Sequence, residues 1–278
     1  METNLRNSPD FALHVYRTQN IRDNTLDDAQ LETRCPLDNG LHDCTPISTC
    51  SPLELLIEVL LQLDIPSLTR FRGLNRRTME LVNSVHQYTA IIEHCSNTIR
   101  AIVSIEADTF DCGKLYGTLC TSRCYTCNRF GDHLYLIDCR RVCYFCFTRW
   151  PEYFPLTSRE AYRFFTPNTK PQSKSKSSRK LLELAKPPSI LSLPGREPKR
   201  FMAIISAPVL LNGGRQVDQG FFCLGCRDET EEETKHFRIK YTTEDMSEHI
   251  ASYGRVVERT PRTPGRFMHV TKDQITPY

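Results

Sequence analysis

The sequence predicts an α+β chain: an N-terminal all-α module of three short helices, then an irregular α+β domain organised by bound metal, with polar segments around and between them. Three observations predict it. Residues 52–105 place apolar side chains at helical spacing. Two copies of Cys-x3-Cys-x2-Cys follow, Cys120/Cys124/Cys127 and Cys139/Cys143/Cys146. Two thiolates two residues apart can turn toward one ion across a tight loop, and a second such pair 12–20 residues on completes a tetrahedral site. Further on, the apolar run Phe201–Leu211 reads as strand, Asn212-Gly213-Gly214 as a turn, and Cys223-Leu-Gly-Cys226 as another knuckle.

Composition bounds the function. The 278 residues allow one large or two small domains, and 36 Lys and Arg against 33 Asp and Glu leave a net charge of +3. So small an excess argues against a globally basic nucleic-acid binder. No apolar run reaches spanning length, the longest being Leu55–Leu61, so no membrane partner is expected. METNLRNSPD has no basic region followed by an apolar one, so no secretory signal is expected. The 13 cysteines are odd in number, and six cluster with metal-ligand spacing. A reducing compartment, cytoplasmic and/or nuclear, fits better than a disulfide framework.

Residues 1–50 are polar and aperiodic and are expected to be a disordered tail. Cys35, Cys44 and Cys50 there match no metal spacing and read as free thiols. Ser51 suits a cap and Pro52 a first helical position. Leu53–Leu63 is apolar nearly all round, broken by Glu54, Glu58 and Gln62, so it is buried on several sides or binds a partner. Asp64-Ile-Pro-Ser67 turns the chain, and Ser67 is the expected cap of a second helix carrying Leu68, Phe71 and Leu74. A third helix is expected at about 75–84 with Met79, Leu81 and Val82. A fourth, at about 89–105, carries Ile91, Cys95, Ile99, Ile102 and Val103, with Cys95 a core thiol. The first module thus covers 51–88, and 89–165 holds the fourth helix and the cysteine repeats.

Leu134–Ile137, between the repeats, is a strand candidate. Thr157-Ser-Arg-Glu160 has the capping-box pattern and predicts a short helix through Ala161, Phe164 and Phe165. Residues 166–200 carry nine Lys or Arg against two Glu among Pro and Ser, and read as a linker or mobile insertion. Residues 201–254 hold the strand, the second knuckle and a helix over Thr242–Ile250. Residues 255–278 are expected to be disordered.

Within 51–84, Pro52, Glu54, Leu55, Leu56, Val59, Leu60, Leu63, Asp64, Leu68, Leu74, Arg76 and Arg77 fall on an ordered pattern of polar and apolar positions. That pattern resembles the F-box. Ser51 stands where the family has Leu and Thr78 where it has Trp, and each departure removes apolar surface. The resemblance implies docking on a Skp-type adaptor joined to a cullin scaffold, through Pro52, Leu53, Glu54, Leu55, Leu56, Val59, Leu60, Leu63, Leu68 and Leu74. The physical reading agrees, since three helices of this length cannot bury Leu53–Leu63 among themselves. Over about 51–253 the arrangement also resembles a group of fungal F-box proteins with cysteine-rich zinc knuckles. The residues that carry this are Cys124-x2-Cys127, Arg141-Val-Cys143-x2-Cys146, Ser192-Leu-Pro-Gly195 and Cys223-Leu-Gly-Cys226, with His249 downstream and Tyr253 where the resemblance expects a cysteine.

Cys124, Cys127, Cys143 and Cys146 are expected to bind zinc, with Cys120 and Cys139 as spares. Cys223 and Cys226 supply two ligands of an expected second zinc site, with His249 as third ligand, His236 as its competitor and Tyr253 a poor substitute for a fourth; the site is otherwise vacant, completed by Cys120 or Cys139, or composite with the first module. The other histidines, His14, His42, His86, His94, His133 and His269, read as surface or core. No phosphate-binding glycine loop, nucleophile elbow or His-Glu metal motif occurs, so no enzyme is expected. The expected role is a substrate-recognition subunit of a cullin-type (SCF) ubiquitin ligase, its zinc domain presenting a surface to an unknown protein substrate. The alternative is a zinc-dependent nucleic-acid-binding or regulatory protein that uses the basic stretch 170–200. A RING-like ligase lacks support, because the central Cys-x-His pair is missing. The C-terminal strand and knuckle are expected to fold back over the first zinc module and cover Leu134–Ile137 and Trp150.

Overall fold

The computed structural model describes residues 15–16, 26, 31, 37, 53–157, 181–182, 198–227, 236–259 and 265–270. Strand β1 (Val15–Tyr16) comes first and finds its partner far down the chain. The helices described beyond residue 52 and before the next strand are α1 (Leu53–Leu61), α2 (Ile65–Arg72), α3 (Arg76–Asn83), α4 (His86–Ser104) and α5 (Cys112–Leu119). The Ser51 cap and Pro52 lie outside the described residues. Helix α2 starts one turn earlier than expected. Asp64, not Ser67, is its cap, and the Asp64 carboxylate accepts from the Ser67 backbone N–H at 2.8 Å.

At α3 the Asn75 side chain accepts from the Thr78 N–H at 2.9 Å, and the Asn75 N–H donates to the Thr78 hydroxyl at 3.1 Å. Thr78, one of the two departures from the F-box pattern, is therefore a fully buried member of a capping box. Helix α4 begins three residues before the expected start and kinks at Cys95, whose φ/ψ of −138°/35° is non-helical. Helix α5 was not expected, because Gly113 and Gly117 mask its periodicity. The Asp111 carboxylate caps it by accepting from the Lys114 N–H at 2.7 Å.

Strands β2 (His133–Tyr135) and β3 (Arg140–Val142) form a hairpin between the knuckles, and α6 (Tyr144–Arg149) follows. Strand β4 (Leu156–Thr157) pairs with β5 (Leu181–Leu182). Thr157 sits in that strand, and the helix expected through Phe165 lies outside the described residues. Next come β6 (Ile204–Ser206), β7 (Val209–Leu211), β8 (Gln216–Asp218), β9 (Phe221–Cys223) and the single turn α7 (Leu224–Arg227). The chain continues through β10 (Lys240–Tyr241), α8 (Thr243–Tyr253), β11 (Arg255–Glu258) and β12 (Phe267–Val270).

The sheet order β3-β2-β6 shows how the two halves join. Leu134 of β2 sits opposite Arg141 on one side and Ile205 on the other. The C-terminal half therefore folds back onto the hairpin, and Leu134, Leu136 and Ile137 are buried. Trp150 is not covered and stays 48% exposed. One apolar core takes in Leu68, Val82, Ile99 and Leu115 from the helices with Leu134, Ile205 and Leu210 from the strands, so the expected boundary near residue 88 runs through continuous packing.

Two segments expected to be disordered carry strands. Val15 and Tyr16 pair antiparallel with Cys223 and Phe222, which makes the sheet β1-β9-β10. Strand β9 is buried throughout, and each flank needs backbone partners. Beyond Gly254, β11 and β12 form a hairpin in the register Arg255 to Val270 and Glu258 to Phe267. Four-residue strands are too short for alternation to stand out in sequence. Among the described residues no helix is long and apolar enough to cross a membrane.

Candidate metal centres and an exposed helix face

The first centre is built by two short loops. In one, the Cys124 N–H donates to the Arg129 carbonyl at 2.7 Å and the Asn128 N–H to the Cys124 carbonyl at 3.0 Å. Asn128 takes the left-handed φ of 61° that closes so tight a turn. In the other, Cys143 precedes α6, and its carbonyl accepts from the Cys146 and Phe147 N–H groups. The two loops are tied where the Tyr125 N–H donates to the Arg141 carbonyl at 2.8 Å. As a result the sulfurs of Cys124, Cys127, Cys143 and Cys146 all lie within 4.8 Å of one another, with Cys127 and Cys143 3.5 Å apart. A tetrahedral ion with metal–sulfur bonds of about 2.3 Å holds its sulfurs about 3.8 Å apart, so the donor set fits. Hydrogen bonding from Cys143, then Cys146, draws the Cys124 thiol down, and the same contacts push Cys143 and Cys146 up. A bound cation needs these sulfurs as thiolates.

Only the last two cysteines of each repeat converge. Cys120 is exposed, and Cys139 is buried with its thiol pushed up to about 11 by that burial. Cys35, Cys44 and Cys50 lie outside the described residues.

The second centre joins Cys223 at the end of β9, Cys226 on α7, His249 on α8 and His269 on β12, again within 4.8 Å of one another. His269 Nε2 is 3.3 Å from both Cys223 and Cys226 Sγ, and His249 Nε2 is 3.4 Å from Cys226 Sγ. His269 corrects the sequence reading, which set it among surface and core histidines and left the fourth position open, with Tyr253 a poor substitute. Its thiol partners lie 46 and 43 residues away, a spacing no short motif encodes. The His269 Nδ1 faces the Gly254 carbonyl at 3.0 Å, which orients the ring with Nε2 toward the sulfurs. A Cβ on Gly225 would meet the His269 ring at 2.8 Å, so the glycine in Cys-x-Gly-Cys is what admits the imidazole. Tyr253 stacks on His249, ring centroids 4.6 Å apart, and packs beside the centre rather than completing it. The His236 side chain lies outside the described residues. Both clusters could hold a metal ion.

The apolar helix α1 divides the residues singled out for adaptor binding. Leu60 is buried, Leu68 of α2 is wholly so, and Leu56 and Leu63 are half-buried. Leu53, Glu54, Leu55, Val59 and Leu74 are exposed, with Leu55 at 56% and Val59 at 59%. Leu55 and Val59, four residues apart, lie on one face of the helix. The outer side of α1 thus presents large apolar residues to solvent while its inner side packs on α3 and α5.

Residues 52–89 match the F-box domain family. No curated protein and no solved structure matches the chain. F-box domains generally bind Skp-type adaptors in cullin complexes, and proteins that carry them are typically adaptors rather than enzymes. The match therefore suggests, in general terms, a substrate-adaptor role in ubiquitin ligation.

Proposed function

We propose that this chain is a substrate-recognition subunit of a cullin-type ubiquitin ligase, without enzymatic activity of its own, acting in the cytoplasm and/or nucleus. Leu53, Leu55, Val59 and Leu74 dock on a Skp-type adaptor, and Pro52 and Glu54 belong to the same proposed binding set. Leu60 and Leu68 support that face from the core. The observation that carries the reading is the exposed apolar side of α1 inside the F-box match. Burying a Leu or Val side chain is worth about 1.5–3 kcal/mol, so Leu55 and Val59 alone supply a useful share of an interface.

The metal in both centres is zinc. Four thiolates, or two thiolates with two imidazoles, are the donor sets of closed structural zinc sites. Zinc here organises the fold, contributing on the order of 10 kcal/mol per site. With both sites full, the metal-bound half presents a rigid surface to the protein substrate, in keeping with the resemblance to fungal F-box proteins with zinc knuckles. The alternative, nucleic-acid binding through 170–200, finds no support, and most of that stretch lies outside the described residues.

The test is co-expression with a Skp-type adaptor and purification through a tag on this chain. The wild type is expected to carry the adaptor, and Leu55→Asp with Val59→Asp to lose it while keeping its zinc. Retention of the adaptor by the double variant would refute the docking face.

A further inference from the structure

The two metal centres differ in how far their sulfurs are shielded. Cys124, Cys143 and Cys146 of the first and Cys223 and Cys226 of the second are buried, whereas Cys127 is exposed. The turn closed at Asn128 puts Cys127 at the tip of its loop, where residues 125–129 all face solvent. Cys127 also lies in the wall of a cavity of about 490 Å³, beside Asn128, Arg129, Glu248 and Tyr253, so a small molecule can reach its sulfur from outside. That sulfur is 3.5 Å from the sulfur of Cys143 on the other loop. Two of the shielded sulfurs are further subdued by hydrogen bonds. Cys124 accepts from the backbone N–H groups of Cys127 and Cys143, and Cys223 from that of Cys226. Such bonds draw charge from a thiolate and lower its nucleophilicity.

We infer that Cys127 is a redox modification site whose oxidant is a small hydroperoxide, and that Cys143 is its resolving partner. Metal coordination keeps Cys127 a thiolate. The thiolate attacks a peroxide oxygen, the O–O bond breaks, Cys127 becomes a sulfenic acid, and the other oxygen leaves as alcohol or water with a proton from solvent. The Cys143 thiolate then attacks the Cys127 sulfur, forming a disulfide and expelling hydroxide, which is protonated to water. In balance, two thiolates, one hydroperoxide and two protons give one disulfide, one alcohol and one water. The sulfurs lose two electrons and the peroxide gains them. Two of the four ligands are then gone, and the centre can no longer hold its ion. The same loop carries Arg123, which donates to Asp245 of α8 at 2.7 Å, so freeing the loop also loosens the second centre's helix from the first knuckle. The inference goes beyond the substrate-receptor reading by making the metal-bound surface sensitive to peroxide, and it rests on zinc in the first centre.

The test treats the full zinc-loaded chain with hydrogen peroxide. Zinc release is read with a chromogenic chelator, sulfenic acid by dimedone trapping, and disulfides by non-reducing peptide mapping. One zinc per chain is expected to leave while the second stays bound, with Cys127 the first ligand trapped and Cys127–Cys143 the first disulfide. A reductant with added zinc is expected to restore the metal content. Cys127→His keeps a four-ligand set, three thiolates with one imidazole, and removes the exposed sulfur. It is expected to slow zinc release about tenfold, since exposure and thiolate character set the rate. Release at the wild-type rate in Cys127→His overturns the inference, as does trapping within the second centre before Cys127. It is overturned too if Cys120→Ser abolishes the release, because exposed Cys120 is then the point of entry. Should Cys127→His fail to load zinc, the order of trapping in the wild type decides. Elemental analysis before oxidation separates the inference from its premise. A folded chain without zinc refutes the zinc reading, and a chain that holds two zincs and keeps both under peroxide refutes the redox site alone.

Discussion

The Arg141 guanidinium donates to the Ala207 carbonyl at 2.9 Å, joining the first cysteine module to a strand connection 66 residues further along the chain. The same group reaches the carbonyls of Gly131 at 2.7 Å, Pro208 at 2.8 Å, Leu119 at 3.2 Å and Thr118 at 3.3 Å. Arg141 is buried, and burial lowers its pKa to about 10, so it stays charged at neutral pH among carbonyl dipoles from three segments. Arg141→Met is expected to lower stability by about 3–5 kcal/mol, because it leaves several buried acceptors unpaired. Arg141→Lys should recover little of it, since an ammonium has three donors and no planar fork. Thermal melting of the zinc-loaded protein checks both. A melting temperature unchanged in Arg141→Met would show that the contacts are replaceable.

His269 carries the second prediction. His269→Ala is expected to remove one zinc per chain and leave the first centre filled, as read by elemental analysis. Tyr253→Cys is expected to add none, because His269 already completes the set. A gain of metal in Tyr253→Cys would mean that the hairpin β11–β12 does not hold His269 in place.

Thiol reactivity separates the cysteines that sequence alone could not sort. Burial pushes Cys95 and Cys112 up to about 12 and Cys139 to about 11. At pH 8 their thiolate fractions are then about 10⁻⁴ to 10⁻³. A raised folded pKa favours the neutral thiol, so these groups stabilise the fold below the unfolded value and lose that contribution as pH climbs through the folded one. Among the described cysteines outside the two clusters, exposed Cys120 is expected to be alkylated by iodoacetamide before Cys95, Cys112 and Cys139, which stay protected until the protein unfolds. Peptide mapping by mass spectrometry gives the order.

The helices α1 to α4 and the Cys124/Cys127/Cys143/Cys146 set were legible because local spacing carries them. Apolar residues repeat at the helical period, and ligand pairs lie within one turn of chain. What was not legible depends on contacts distant in sequence or on residues with weak propensity. Helix α5 hides behind Gly113 and Gly117. Thr78 looked like lost apolar surface and is a buried cap partner, a role set by Asn75 three residues before it. The Arg-x-Cys element showed Arg141 in the sequence, but the carbonyls it serves come from residues 118 to 208. His269 could be weighed only once Gly225 and the hairpin had placed its ring against the thiols.

The division of α1 into an outer and an inner side sharpens the test of docking. Leu60 and Leu63 fall on the family pattern no less than Leu55 and Val59, yet Leu60 is only 6% exposed and sits in the core with Ile65, Leu68 and Val82. Asp at Leu60 would bury an unpaired charge, unfold the helices and abolish adaptor capture for a trivial reason. Leu60→Ala is expected to cost about 2–5 kcal/mol of stability and to leave capture intact below the melting temperature. Leu55→Asp with Val59→Asp is expected to leave the melting temperature within a few degrees, because both side chains already face water, and to abolish capture. Circular dichroism melts and adaptor pull-down on the same samples separate the two effects. If Leu55→Asp with Val59→Asp lowers the melting temperature as far as Leu60→Ala does, the outer face is covered within the free protein and is not a docking surface.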